Sequence, residues 1–123
     1  MSLFSGVPYD YSAVAGELVF LAGACPLDAE GNVVDGDLEA QVHQALDNLV
    51  AALGREGCTL ANVVKTTGYV ATQDRAELLD AWQIVEERFA PSRPPSTLLG
   101  ITMLGYPGQR FEIEAVARSA SSS

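Results

Sequence analysis

The stretch Arg93-Pro94-Pro95-Ser96-Thr97, running through Gly105-Tyr106-Pro107-Gly108 to Phe111-Glu112-Ile113-Glu114-Ala115, carries the pattern on which the fold turns. Two consecutive prolines fix φ and remove two backbone donors, so the segment begins as a stiff connector and not as helix. Residues 97–104 and 110–118 then read as strands, with Gly-Tyr-Pro-Gly between them as the turn of a hairpin. Side chains two apart on a strand share a face. Glu112 and Glu114 therefore point one way, and Phe111, Ile113, Ala115 and Ala117 the other, which suits a core.

Working outward, the connector follows an amphipathic helix expected over residues 75–89. Leu78, Leu79, Trp82, Val85 and Phe89 form its apolar side, Asp74 and Glu77 have capping-box spacing, and Pro91 forbids continuation. A longer helix is predicted over 38–53, where Leu38, Val42, Ala45, Leu46, Leu49, Val50 and Leu53 make one stripe. Asp37 stands at its N-cap position and Gly57 beyond its end. Residues 62–71 are rich in β-branched side chains and read as a strand. Leu18-Val19-Phe20-Leu21-Ala22 is a continuous apolar strand, expected to be buried on both faces. Asp28-Ala29-Glu30-Gly31 reads as a turn joining short strands. The order β-α-β-α-β-β implies an α+β sandwich. Two helices cover only one face of such a sheet, so the other is expected to be hidden by self-association. One domain is expected over residues 1–118, with a disordered tail over 119–123.

Composition narrows the function. A 123-residue chain that is 48% apolar can bury a core. Sixteen acidic and 7 basic residues give a formal charge of -9, which repels polyanions and argues against nucleic acid as a partner. No apolar run reaches membrane-spanning length, and the first ten residues carry no basic n-region; a cytoplasmic protein without a membrane partner is expected. Cys25 and Cys58 are far apart and His43 is the single histidine, so neither a disulfide scaffold nor a metal site is expected.

Chemistry must then come from few residues. Glu112 can handle a water or take a proton if it borders a cleft, and is otherwise one carboxylate of a solvated face. Arg93 and Ser96 offer a guanidinium and a hydroxyl on the proline frame, or simply a surface connector. Cys25, in Gly23-Ala24-Cys25-Pro26, reads as a buried, inert thiol at a strand end. Tyr11 and Ser12 either line a pocket or pack, and His43, off its helix's apolar stripe, reads as surface. No nucleophile-histidine set and no glycine-rich phosphate loop can be assembled.

Four stretches, at these separations, carry a resemblance that spans about residues 11–118: Gly16-Glu17-Leu18-Val19-Phe20-Leu21-Ala22-Gly23, Gln41-Val42-His43-Gln44-Ala45-Leu46-Asp47-Asn48-Leu49, Val63-Val64-Lys65-Thr66-Thr67-Gly68-Tyr69-Val70 and Phe111-Glu112-Ile113-Glu114-Ala115-Val116-Ala117. In them the chain resembles the Rid (YjgF-type) reactive-intermediate deaminases, also known as the L-PSP endoribonuclease family. The resemblance implies a chorismate-mutase-like fold: a mixed sheet with two helices on one face, assembled as a homotrimer with small-molecule clefts between subunits. It further implies hydrolysis of imines or enamines to a carbonyl product and ammonia, without metal or organic cofactor. Carried over by position, Glu112 matches the family's water-handling glutamate, Gly23 the glycine of the first strand and Tyr11 the early tyrosine, with Cys25, Arg93, Ser96 and Thr97 completing the expected substrate-binding set.

The chain departs from the family pattern at three places. Ala22 stands where serine is usual, Leu98 where cysteine is frequent, and Ser96 where Arg-Pro-Ala-Arg-Thr places the arginine that grips the substrate carboxylate. Losing one partner of a desolvated arginine–carboxylate contact costs about 2–5 kcal/mol, a roughly thirtyfold to several-thousandfold effect. Imino-acid deamination is therefore expected to be weak, and a non-catalytic small-molecule-binding or regulatory trimer is the alternative reading. Chorismate mutation, which needs several cations, and RNA cleavage both sit badly with the acidic composition.

Overall fold

The computed structural model describes residues 3–120. Five strands and two α-helices follow in the order β1 (Ser12–Ala15), β2 (Leu18–Ala24), α1 (Leu38–Arg55), β3 (Val63–Ala71), α2 (Arg75–Phe89), β4 (Ser96–Ile101) and β5 (Phe111–Arg118), with a 3₁₀ turn at Leu60–Asn62. They form one mixed sheet of order β1-β2-β5-β3-β4 with the helices on one face, the α+β arrangement expected from the sequence.

Both helices begin as their caps dictate. Asp37 accepts from the N–H of Ala40 at 3.0 Å, and Asp74 from that of Ala76 at 2.9 Å. Glu77 does not close the expected capping box; its carboxylate is held by Arg110 at 2.9 Å and by the Thr72 hydroxyl. Gly57, at φ 73°, lets the chain leave α1 in the left-handed region. The core lies between the layers. Val42, Leu46, Leu49 and Leu53 of α1 and Ala81, Val85 and Phe89 of α2 bury against Val19, Val70, Phe111 and Ile113 of the sheet. The alternation read in β5 holds: Phe111, Ile113, Ala115 and Ala117 are buried, whereas Glu112 and Glu114 lie half-buried on the opposite face.

Three expectations are corrected. First, β4 and β5 are not a hairpin. β4 pairs in parallel with β3, from Thr66↔Ser96 to Ala71↔Ile101, and β5 inserts antiparallel between β2 and β3. Helix α2 is the crossover that makes β3 and β4 parallel neighbours. The residues read as a hairpin turn are a connector across the end of the sheet, pinned to α1 by Gln41, which donates to the Gly108 carbonyl (2.9 Å) and accepts from the Arg110 N–H (2.7 Å). Second, β2 alternates within one chain. Val19 and Leu21 are 2% and 7% exposed, but Leu18 and Phe20 are 39% and 46% exposed because no layer covers that face. Third, the region around Asp28 forms only an isolated bridge, Leu27↔Val33, in place of paired short strands.

The sequence reading also missed β1. It pairs with β2 through a two-residue turn whose first position, Gly16, takes φ 60°. At the other end the Ser119 N–H donates to the Glu17 carbonyl at 2.8 Å; residues 121–123 of the expected tail lie outside the described residues. No helix among the described residues is long and apolar enough to cross a membrane.

Candidate functional site

The site forms where β2 loses register with β5. The ladder between them shifts between Leu21 and Ala24, and this irregularity sets Gly23 beside Glu112. A Cβ at residue 23 would lie 2.2 Å from Glu112 Oε2, so the missing side chain is what gives that carboxylate its space. Above it opens a cavity of about 410 Å³ bordered by Tyr9, Gly23, Cys25, Tyr106, Gln109 and Glu112. Among the described residues lining it there is no Arg or Lys.

The two carboxylates of β5 fare differently. Glu114 accepts a 2.5 Å hydrogen bond from the Tyr69 hydroxyl, and that bond raises the tyrosine pKa. Glu112 receives Cys25 Sγ and Gln109 Nε2, each at 3.2 Å, both on Oε1. Oε2 has no donor among the described residues and faces Gly23 at the cavity. Burial, then the Glu112 charge and hydrogen bond, push the Cys25 thiol up to about 12, with Gln109 pulling slightly the other way. The thiol is therefore protonated and donating at neutral pH. Tyr9 is likewise raised, chiefly by burial and next by Cys25.

The walls are held from behind by α1. Asn48 Nδ2 donates to the carbonyls of Cys25 (2.9 Å) and Leu27 (2.8 Å), fixing the loop after β2. Gln41, two helical turns earlier, fixes the opposite wall through Gly108 and Arg110. Both side chains are buried at 4% and 7% exposure, on the core-facing side of the helix. Polar residues inside an apolar stripe are a sequence signal, because a buried amide must find partners. The sequence reading passed over both of them, and over Tyr9 and Gln109.

The predicted site residues do not all come together. Glu112, Gly23 and Cys25 come together at the cavity. Tyr11 lies in an adjoining recess, its hydroxyl donating to the Phe4 carbonyl at 2.6 Å and its ring beneath Arg55, while Tyr9 takes the rim. Arg93 and Ser96 border a separate cavity of about 230 Å³ with Trp82, Phe89 and Pro94. The Ser96 hydroxyl accepts from Thr66 Oγ1 (2.6 Å) and donates to the Pro94 carbonyl (2.9 Å), so its one proton is already used. Thr97 accepts from Lys65 Nζ at 3.0 Å on the open face. Arg93 is exposed, with no ion-pair partner among the described residues. Ser96 is level with Thr66 and Ala115, and Glu112 with Tyr69, which places them two strands and three positions apart. That is about 10 Å across the sheet and about 10 Å along it, too far for one small substrate to touch both within a single chain.

A larger groove, about 450 Å³, lies against the helices and carries Asp37, Glu39, Glu77, Asp80 and Glu87. Its Arg110 is engaged by Glu77 and the Ala71 carbonyl.

Comparison with known proteins gives the family of the chain. The family model described as Endoribonuclease L-PSP matches residues 3–119. A RutC family protein of Pyrococcus horikoshii is 32% identical over 89% of this chain and 86% of its own length. The human 2-iminobutanoate/2-iminopropanoate deaminase is 31% identical over 89% of this chain and 79% of its own. The crystal structure of the Rid-family protein YyfA from Yersinia pestis, at 26% identity, superimposes with a TM-score of 0.83 over 90% of this chain and 87% of that one. A glutamate presented over a glycine at a break in the β2–β5 ladder is thus a feature of a chain that belongs to the endoribonuclease L-PSP family, the YjgF/Rid family.

Proposed function

We propose that this protein hydrolyses imines or enamines, releasing a carbonyl product and ammonia. The observation that carries the reading is Glu112, which borders the cavity with its Oε2 set against Gly23 and without a donor among the described residues. The deaminase relatives support it. Glu112 takes a proton from water as the oxygen attacks the carbon of the protonated imine, giving a neutral carbinolamine. It returns that proton to nitrogen and then takes the hydroxyl proton as the C–N bond breaks, so ammonia leaves as the carbonyl forms and the proton on Glu112 passes to the departing ammonia. Atoms balance with water as the sole co-reactant.

The substrate is an imine that needs no carboxylate grip. No cation lines the cavity among the described residues, and Ser96 spends its hydroxyl on Thr66 and Pro94. The cleft is completed by neighbouring copies in a homotrimer, which also covers the open sheet face where Leu18, Phe20, Val64 and Leu99 are exposed. Two free thiols, Cys25 and Cys58, fit a reducing cytoplasm. RNA is not a substrate, given the charge of -9.

Turnover of a panel of carboxylate-free and carboxylate-bearing imines, with Glu112→Gln beside wild type, tests the activity. Light scattering of wild type and Phe20→Glu tests the assembly; a wild-type monomer at micromolar concentration would sink it. The missing anchor favours one other reading, a trimer that binds small molecules without turning them over, which predicts measurable ligand binding and no ammonia.

A further inference from the structure

Glu112 ends in a carboxylate whose two oxygens are chemically equivalent until the surroundings distinguish them. Here both protein donors reach the same one. Cys25 Sγ and Gln109 Nε2 each lie 3.2 Å from Oε1. We propose that Cys25 and Gln109 are positioning residues that clamp Oε1 of Glu112, so that Oε2 alone meets water and substrate. The role deepens the imine-hydrolysis reading and rests on it.

Both donors are mounted rigidly. Gln109 is 5% exposed; its Nε2 also donates to the Phe111 carbonyl (3.1 Å), and its Oε1 accepts from the Tyr106 N–H (3.1 Å). The amide cannot turn over without losing both of those bonds. Cys25 is 8% exposed, and its carbonyl is gripped by Asn48. Its thiol has a second acceptor, the Gly23 carbonyl, at the longer distance of 3.6 Å, so the carboxylate is the closer and charged partner. Burial and the Glu112 charge keep the thiol proton in place at neutral pH, so the donor is permanent.

The chemical consequence is one-sided proton traffic. A proton taken from water cannot settle on Oε1, which already receives two donors, and is carried on Oε2. The same oxygen that removes the proton from the nucleophile then returns it to the leaving nitrogen. Such a base needs no rotation between the two steps, which is what a fixed near-attack geometry requires.

Two readouts test the clamp. The first needs no substrate: alkylation of Cys25 at mildly alkaline pH, separated from Cys58 by peptide mapping. Glu112→Gln removes the charge that holds the thiol proton and should speed alkylation severalfold. Gln109→Leu keeps the volume but removes the opposing amide and should slow it. Acceleration by both would mean loosened packing and would overturn the clamp, as would no change in either. The second readout is steady-state kinetics. Cys25→Ala and Gln109→Leu should each lower kcat about tenfold with KM little changed, and Cys25→Ser, which restores a donor, should recover most of the loss. An active wild type whose kcat ignores both substitutions overturns the proposal. A wild type that turns over no imine removes the proposed function instead, while the alkylation contrast still decides the clamp.

Discussion

The start of β5 and the start of β4 belong to one continuous block of sequence, and both offered polar side chains for chemistry. The fold treats them in opposite ways. At Glu112, which borders a cavity, the side-chain hydrogen bonds fall on one oxygen and leave the other without a donor among the described residues. At Ser96 the hydroxyl turns inward, its one proton given to the Pro94 carbonyl and a lone pair taken by Thr66. What separates a reactive group from a structural one is therefore residual hydrogen-bonding capacity at a surface, not residue type or position in a motif.

Substitutions can break this contrast. Glu112→Gln is expected to lower imine turnover by about 10²–10⁴-fold, the worth of a positioned general base, with the thermal midpoint little changed. Gly23→Ala should come next, at about 100-fold in kcat, because the new methyl meets Oε2 at 2.2 Å and turns the carboxylate aside. The fold should tolerate it, since the colliding atom is the end of a flexible side chain; circular dichroism beside kinetics separates the two effects. Ser96→Ala should behave in the reverse manner. It leaves the 2% exposed Thr66 hydroxyl without its acceptor and should cost about 1–3 kcal/mol in urea denaturation while turnover holds. A large loss of turnover in Ser96→Ala would erase the contrast.

The smallest effect is on pH dependence. Below its ordinary value of 9.0 the Cys25 thiol is protonated in both folded and unfolded chains. As the pH rises above that, the unfolded chain gives up its proton while the folded chain keeps it up to about 12. The unfolded state then binds fewer protons, so stability contributed below pH 9 is lost progressively across this window. Cys25→Ser, which does not titrate there, should show a shallower alkaline decline in urea midpoint than wild type.

Much of this was legible in the sequence, for definite reasons. The alternation of β5, the stripe of α1 and the caps Asp37 and Asp74 are local signals, and local signals survive into the fold. The partner of β4 was not legible. A Gly-Tyr-Pro-Gly segment between two strand-like runs looks the same whether it turns a hairpin or crosses the sheet end, and only the long-range grip of Gln41 on Gly108 and Arg110 distinguishes them. Glu112 and Gly23 could be named in advance, but their contact could not, because it depends on a shift in register. Gln109 left no trace, being one polar residue in a loop. The fate of Ser96 depended on Thr66, thirty positions away.

Helix α1 reaches the site twice without bordering the reacting carboxylate, through Asn48 to one wall and Gln41 to the other. The two rungs share a rigid rod, so the walls cannot part independently. The loop after β2 and the connector before β5 should accordingly exchange their amide hydrogens with a common opening free energy, that of α1 lifting from the sheet. Substitutions on the buried side of that helix would then widen or narrow the cavity from a distance, letting substrate preference drift while the chemistry at Glu112 stays intact.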